Sequence, residues 1–421
     1  MDGEVIRVVG FDAAEEKHDA VLLGRDGQEV FQLSCRNRVK AIEDACGELM
    51  VRLESGERLA VVLESPRSHG RLIFEVATRL GCDVWQVSTV AVNHYRDVEG
   101  QPRKDDRWDA YLAARMVHLR TGRCYLVADP RPEERVLSRL CRARSRHVDQ
   151  RTKLFQQLRA MFLELAPEVL HKEWKGPTYD SKAMHKILRR WPALEGLKRS
   201  RKATVEGIIR SCRYRKERME EMVDGLRRIA REIAVPIDER SVMALEMELI
   251  LKQLELLEKS IQRLEGQINE LVKQHPIGRK LMEMPGIGVL TAAVLVGELL
   301  RVARNTSEAS SATYAGITPL CRKTGKSRKR SRLTRGSNKH VLNALFLSAV
   351  GALKDSAFDR AYYDKKRDDY QGHPKPHTAA TLALARQRHK VIYKLMTTDA
   401  RYDKEKLIAS HFERRQLENC A

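Results

Sequence analysis

No two cysteines in this sequence form a C-x-x-C pair. The eight present (Cys35, Cys46, Cys82, Cys124, Cys141, Cys212, Cys321 and Cys420) are scattered along the chain. That spacing argues against a structural zinc site and a disulfide framework, and it fits a reducing compartment. Aromatic residues make up only 5%, so base stacking is not expected to dominate any contact with nucleic acid; phosphate contacts should. No apolar run approaches the roughly 20 residues needed to span a bilayer. The opening stretch, MDGEVIRVVGFDAAEEKHD, reads as the first strand of a domain and carries no signal-peptide pattern. The expectation is a cytoplasmic protein with no membrane partner.

Positive charge is plentiful. Lys and Arg number 78 against 57 Asp and Glu, for a formal net charge of +21. A soluble chain this basic usually meets a polyanion, nucleic acid most often and an acidic membrane surface less so. Its 421 residues suffice for two or three domains with real cores.

Residues 5–12 (VIRVVGFD) read as an apolar strand ending at an acid, followed by HDAVLLG (18–24) and EVFQL (29–33), two further strands. A helical pattern over about 38–53 precedes LAVVLES (59–65), again a strand that ends at an acid. A helix near 69–80, a strand at CDVWQV (82–87) and a helix opened by DDRWDAYLAAR (105–115) follow. Three strands and then β/α alternation predict a mixed sheet with helices on its faces. From about 133 to 275 the pattern is almost wholly helical. There Met243, Met247, Ile250, Leu254, Leu257, Ile261, Leu264, Ile268 and Leu271 alternate spacings of four and three. Sustained over about four heptads, this seam predicts a coiled coil over 243–271, although a single buried helix would also show apolar periodicity. The basic stretch 197–222 reads as a solvated face with some scope for contact with nucleic acid. In MEMPGIGVLTAAVLVGELL (282–300), the tight turn at Gly286 and Gly288 either presents backbone N–H groups to a phosphate or merely packs two helices. HVLNALFLSAVGAL (340–353) and HTAATLALARQRHKVIYKLM (377–396) read as apolar-faced helices on one core, separated by Pro374 and Pro376. The expected domains are 1–130, 131–275 and 276–400, with a tail over 401–421.

Asp12 and Glu64 each close an apolar strand, while Asp106 and Asp109 lie three apart at a helix opening, a spacing that puts both carboxylates on one face. Acids at strand ends can converge at one sheet edge, and four together repel unless a cation joins them. Hard oxygen ligands select Mg²⁺ or Mn²⁺, which can polarise a phosphodiester. Taken singly, each acid is more often structural, and a D-x-x-D at a helix start often caps. In this order the set has the pattern of an RNase H-like nuclease core. Asp105 and Asp19 are neighbouring alternatives ranked behind it.

One further stretch carries chemistry: YAGITPLCRKTGKSRKRSRLTRG (314–336), with eight Lys or Arg and no acid between Arg322 and Arg335. Two hydroxyls, Thr324 and Ser327, flank its Gly-Lys step. Lys323, Lys326 and Arg328 are the cations expected nearest a phosphate, with Lys329, Arg330 and Arg332 beside them. A basic tract that binds backbone without selectivity is the plainer alternative; a position between two core-forming apolar segments argues against it.

With VVGFDAAEEKHDAVLL, VVLES, RKDDRWDAYLAAR, MPGIGVLTAAVL and YAGITPLCRKTGKS in this order, the sequence resembles the DEDD transposases of bacterial insertion sequences. These are recombinases related to the pilin-gene invertase, some of them guided by a structured bridge RNA. The resemblance implies a RuvC-like N-terminal domain with Asp12, Glu64, Asp106 and Asp109 around Mg²⁺ (or Mn²⁺). It also implies a coiled coil leading to a mostly helical C-terminal transposase domain, and a dimer or tetramer acting on DNA with a structured guide RNA. In the family a serine of that domain attacks the DNA backbone and holds a covalent phosphodiester, completing the carboxylate site of another protomer. The middle helical region is longer than is usual for the family. Where the family pattern has Ser-Gly, this chain has Thr324-Gly325. Threonine keeps a hydroxyl that a base or metal can activate, but its methyl stiffens χ1 and crowds an in-line approach. Slower chemistry at Thr324, or a branch without strand exchange, is the expectation; Ser327 is the fallback nucleophile and Ser331 the next. Two other readings are a junction-resolvase-like nuclease that uses water and a non-enzymatic nucleic-acid-binding relative.

Overall fold

Small and β-branched residues alternate through VIRVVGFDA and make it the central strand of the sheet. In the computed structural model, which describes residues 5–98, 105–120, 124–127, 131–320, 323–324, 327–328, 332–333 and 337–403, this strand is β1 (Val5–Ala13). It pairs antiparallel with β2 (Lys17–Leu23), and β2 pairs antiparallel with β3 (Glu29–Arg36). On the other side β4 (Glu57–Leu63) runs parallel to β1, and β5 (Asp83–Val87) parallel to β4. The last strand, β6 (Cys124–Leu126), is antiparallel to β5, so the order is β3-β2-β1-β4-β5-β6. The expected mixed sheet is therefore present, with one short strand more than the sequence signalled.

Side chains alternate between the two faces of the sheet. Val9, Phe11, Val61 and Leu63 pack with Ile42 and Leu49 of α1 (Val39–Met50) and with Ile73 and Phe74 of α2 (Arg71–Arg79). Val8, Ala60 and Val62 pack on the opposite face with Val92 of α3 (Thr89–Val98) and with Ala110 and Ala113 of α4 (Asp106–His118). A sheet with central parallel strands needs both faces covered, and these four helices cover them.

The chain divides into two compact units, one formed by Met1–Arg139 with Ile268–Ala421 and one by Leu140–Gln267. The N- and C-terminal portions, expected over 1–130 and 276–400, both lie in the first unit. The second unit draws on α5 (Pro132–Leu165), α6 (Lys182–Arg190), α7 (Lys202–Arg210), α8 (Met219–Glu232) and α9 (Ile237–Gln274). Its core joins Leu158 and Phe162 to Ile187, Ile209, Val223 and Leu226, and also to Met243, Met247, Leu251 and Leu254 of α9. The coiled coil expected over 243–271 is accordingly not confirmed. The helix is there, but the leading seam residues are buried in their own chain's core. A 3.5-residue repeat drifts only about 20° per heptad from the ideal helix, so over a few heptads a globular core and a coiled coil leave nearly the same pattern.

The C-terminal part of the first unit contains α10 (Pro276–Met282), then α11 (Val289–Val294), which continues through a π turn at Leu295–Leu299 into α12 (Leu300–Ala303). After α13 (Glu308–Ala315) the backbone makes two short antiparallel pairings, Pro319–Leu320 with Arg332–Leu333 and Lys323–Thr324 with Ser327–Arg328. Then come α14 (Lys339–Asp355), α15 (Ala357–Asp369) and α16 (Pro376–Thr397). Among the described residues no single helix is long and apolar enough to cross a membrane.

Buried charge ties these helices together. Arg388 of α16, 2% exposed, donates to Asp359 of α15 (2.7 Å) and to the Pro285 carbonyl. His389 is fully buried; its Nδ1 hydrogen bonds to Glu308 (2.8 Å) and its Nε2 to the Ser311 hydroxyl (3.1 Å). A neutral ring satisfies both, with Nδ1 donating and Nε2 accepting. Burial holds the His389 pKa down at about 4, against an ordinary 6.5. Arg386 hydrogen bonds to Glu308 and holds that carboxyl at about 2. A native state that keeps His389 neutral loses stability as pH falls through 6.5 toward 4, because the unfolded chain takes up the proton first. Unfolding free energy is expected to be level above pH 7 and to fall below it, by about 3 kcal/mol from His389 alone at the acid end, with the melting temperature falling alongside. His389→Gln should flatten that part of the curve; an undiminished slope would assign the acid sensitivity elsewhere.

Candidate active site

Asp12 lies on β1, and Glu64 directly follows β4. The parallel register pairs Phe11 with Leu63, so these two acids stand level at the same edge of adjacent strands. Because side chains alternate, Asp12 shares the face of Val8 and Gly10, and Glu64 that of Ala60 and Val62. This is the face covered by α4.

Gly10 lets the helix come close. A Cβ there would lie 1.9 Å from the Ala110 carbonyl oxygen and 3.0 Å from the Ala114 nitrogen. Helix α4 begins at Asp105, whose carboxylate caps it by accepting from the Arg107 N–H at 3.2 Å. Asp109 sits in the first turn directly before Ala110 and is only 8% exposed. Asp12 and Glu64 thus share one face and one edge of the sheet, and Asp109 lies in the first turn of the helix that covers that face.

Their partners set the local electrostatics. Arg96 of α3 forms an ion pair with Asp109. The Thr89 hydroxyl donates to Glu64 Oε2 at 3.0 Å, and Gln86 Nε2 reaches the Glu64 carbonyl at 3.4 Å. Asp19 is the cross-strand partner of Asp12; it pairs with Lys17 at 3.1 Å and accepts from the Ser34 hydroxyl. Asp106 goes elsewhere. Exposed at the helix start, it lines an open cleft of about 490 Å³ with Asp19, Asp105, Lys17 and Arg107. Asp106 and Asp109, expected to act from one helix face, differ in exposure: Asp106 stands in solvent and Asp109 is buried. Among the described residues no group of three or more His, Cys, Asp or Glu is arranged to hold a metal ion.

Thr324 and Ser327 are backbone partners, as are Lys323 and Arg328. The side chains of these four and of Arg332 lie outside the described residues, as do Lys326, Lys329, Arg330 and Ser331 altogether. Gly286 has a positive φ of 76°, and a Cβ there would meet Ala352 N at 2.3 Å and Ser348 O at 2.4 Å. Close packing on α14 accounts for this glycine. Gly288 is exposed with open space around it.

Sequence reasoning missed Arg96 and Thr89, both on the ten-residue helix α3, because their partners Asp109 and Glu64 are set by tertiary contacts. It also passed over Glu298, although an acid inside the apolar run VLVGELL is a visible signal. The Gly10 contact is directly testable. Gly10→Ala is expected to cost roughly 1–3 kcal/mol in chemical denaturation, as overpacking does. Gly266→Ala, whose added Cβ meets nothing within 4 Å, is expected to cost nothing. Equal stability of the two variants would refute the close approach of α4 to β1.

Comparison with known proteins agrees with this arrangement. A family model for the DEDD transposase of IS110, described as a transposase, matches residues 9–167. A second, described as a transposase of the IS116/IS110/IS902 family, matches residues 278–364. The chain is 28% identical over 403 residues to the uncharacterized 43.6 kDa protein of insertion element IS110 of Streptomyces coelicolor, covering 94% of this chain and 95% of that one. It is 31% identical over 139 residues to the 42 kDa protein of IS900 of Mycobacterium paratuberculosis, covering 32% and 33%. With the 44.8 kDa protein of IS116 of Streptomyces clavuligerus it shares 24% identity over 402 residues, covering 92% and 94%. A DEDD domain implies a RuvC-like fold, and the mixed sheet flanked by helices accords with it. The chain belongs to the DEDD transposases of insertion sequences.

Proposed function

We propose that this DNA transposase cuts and rejoins DNA with Asp12, Glu64, Asp106 and Asp109 around a divalent cation and with a hydroxyl nucleophile on the basic segment. The observation that carries the reading is the β1–β4 register, which sets Asp12 and Glu64 level on the sheet face that α4 covers. All four donors are carboxylate oxygens, the set that suits Mg²⁺ or Mn²⁺. By donor chemistry they suit the cation, which would draw them together, with Asp109 releasing Arg96 to join it. When bound, such an ion polarises the scissile phosphodiester and stabilises charge on the entering and leaving oxygens.

The chain's own groups supply the rest. Lys323, Lys326, Arg328, Lys329, Arg330 and Arg332 neutralise phosphates and hold the strand. Gly288, open at its turn, is left as a backbone contact, whereas Gly286 is taken up by packing. Thr324 Oγ bonds to phosphorus as the bridging P–O bond breaks; the hydroxyl gives up its proton and the departing DNA oxygen gains one. Ser327, its backbone partner, is the fallback. A structured guide RNA selects the site, as the family resemblance implies, and a dimer or tetramer forms in the cytoplasm. Val242, Leu245, Leu249 and Leu256 support the oligomer: all four are exposed along α9 at spacings of three, four and seven, a stripe that a second copy's helix would cover.

Trapping on a suicide DNA substrate, followed by peptide mapping, tests this. A covalent adduct at Thr324 is expected, absent in Thr324→Ala. Asp12→Asn and Glu64→Gln are expected to slow cleavage roughly 10²–10³-fold or more. Free DNA ends with indifference to Thr324→Ala would favour a water-using nuclease, a reading that the threonine in place of the family's serine keeps open. Unchanged function in Asp12→Asn would leave only a binding protein.

A further inference from the structure

We infer that a buried polar network centred on Glu298 holds Tyr314 and Asn338, the residues that flank the basic segment, in register with the strand edge that carries Glu64, so that each protomer presents its carboxylates and the two ends of that segment in a fixed relation. Glu298 lies in the π turn and is fully buried. Its Oε2 accepts from Arg67 at 2.8 Å and from Asn338 Nδ2 at 3.0 Å, and its Oε1 accepts from the Ser138 hydroxyl at 2.9 Å. Arg67 also donates to Ser138 Oγ at 2.9 Å. Arg67 stands three residues beyond Glu64, on the loop after β4. Asn338 is the N-cap of α14, with its Oδ1 accepting from the His340 and Val341 N–H groups at 3.1 and 3.4 Å.

Asn338 closes the basic segment at its far end, and its backbone N–H donates to the carbonyl of Tyr314, just before the segment, at 2.9 Å. The Tyr314 hydroxyl accepts from Asn338 Nδ2 (3.0 Å) and from Arg301 (3.3 Å), and its ring meets Tyr125 edge-on at 5.3 Å. Arg301 reaches Gln86 Oε1 at 3.5 Å, and Gln86 in turn reaches the Glu64 carbonyl at 3.4 Å. Two routes therefore run from the neighbourhood of Glu64 to the two ends of the segment that bears Thr324, one through Arg67 and Glu298 and one through Gln86 and Arg301.

Stability alone does not explain this arrangement. A buried ion pair contributes little net stability, and apolar residues of similar volume often do as well. Here the flanking residues Leu295, Val296, Leu299 and Leu300 are all buried and apolar. The π turn is an irregularity of a kind found frequently at functional sites. At the adjoining Gly297 a Cβ would meet Ser138 N at 2.6 Å, so helix and network close together. Glu298 and Asn338 are positioning residues, and their effect on the reaction rests on the DNA-cutting reading above; the network itself does not.

Hydrogen–deuterium exchange on the full-length chain, paired with DNA binding and single-turnover cleavage, decides the matter. In Asn338→Ser, where a hydroxyl can still cap α14, residues 340–342 are expected to stay protected. Exchange at 64–70 and 314–318 should rise at least tenfold, with 140–267 unchanged. DNA affinity should stay within twofold while cleavage at saturating DNA falls at least tenfold. Glu298→Gln is expected to act alike, and if it fails to fold, Asn338→Ser decides. Increased exchange confined to 337–342, or cleavage unchanged despite loosening at 64–70, would overturn the inference. A wild-type protein that cuts no DNA would instead refute the functional reading and leave the exchange result to judge the coupling.

Discussion

The approach of α4 to β1 across Gly10 is the constraint from which the candidate site follows. A side chain at that position would collide with the backbone of Ala110, so glycine sets how near the helix can lie. Nearness lets α4 cover the sheet face to which Asp12 and Glu64 belong. Asp109 is buried and takes a cation from α3, whereas Asp106, one turn earlier, remains in solvent. Two acids three residues apart on one helix thereby acquire different surroundings.

Buried ion pairs join the C-terminal part of the same unit to the N-terminal part. Glu134 at the start of α5, 1% exposed, receives both terminal nitrogens of Arg304, at 2.9 and 2.5 Å. Glu298 receives Arg67, while within the C-terminal part Arg388 holds Asp359 and the Pro285 turn. Each pair is weak as a source of stability but strict in geometry, since breaking one leaves an uncompensated buried charge. Such contacts fix where one element stands relative to another, which a reaction between a strand-edge carboxylate site and a distant hydroxyl requires.

Much of the sheet was legible because its period is simple. Five strands and three of the helices around them stand close to where alternation and apolar runs placed them, and Asp12 and Glu64 were visible as acids closing such runs. What escaped notice was short or irregular. Helix α3 has ten residues, β6 has three, and the π turn leaves the pattern of 289–300 indistinguishable from an ordinary helix. The seam on α9 was read correctly as helical, but its burial partner could not be read, because heptad spacing does not say whether the covering surface belongs to the same chain. Asp109 was found by spacing, but its pairing with Arg96 depends on a tertiary contact that spacing cannot show.

The central claim is that carboxylates from separate parts of the chain act through one divalent cation. Titration of the full-length protein with Mn²⁺, followed by electron paramagnetic resonance, tests this without reference to turnover. Saturable binding is expected in the wild type, weakened together by Asp12→Asn, Glu64→Gln and Asp109→Asn, and strengthened by Arg96→Ala, which frees the Asp109 carboxylate. Binding indifferent to all three acids would contradict the account.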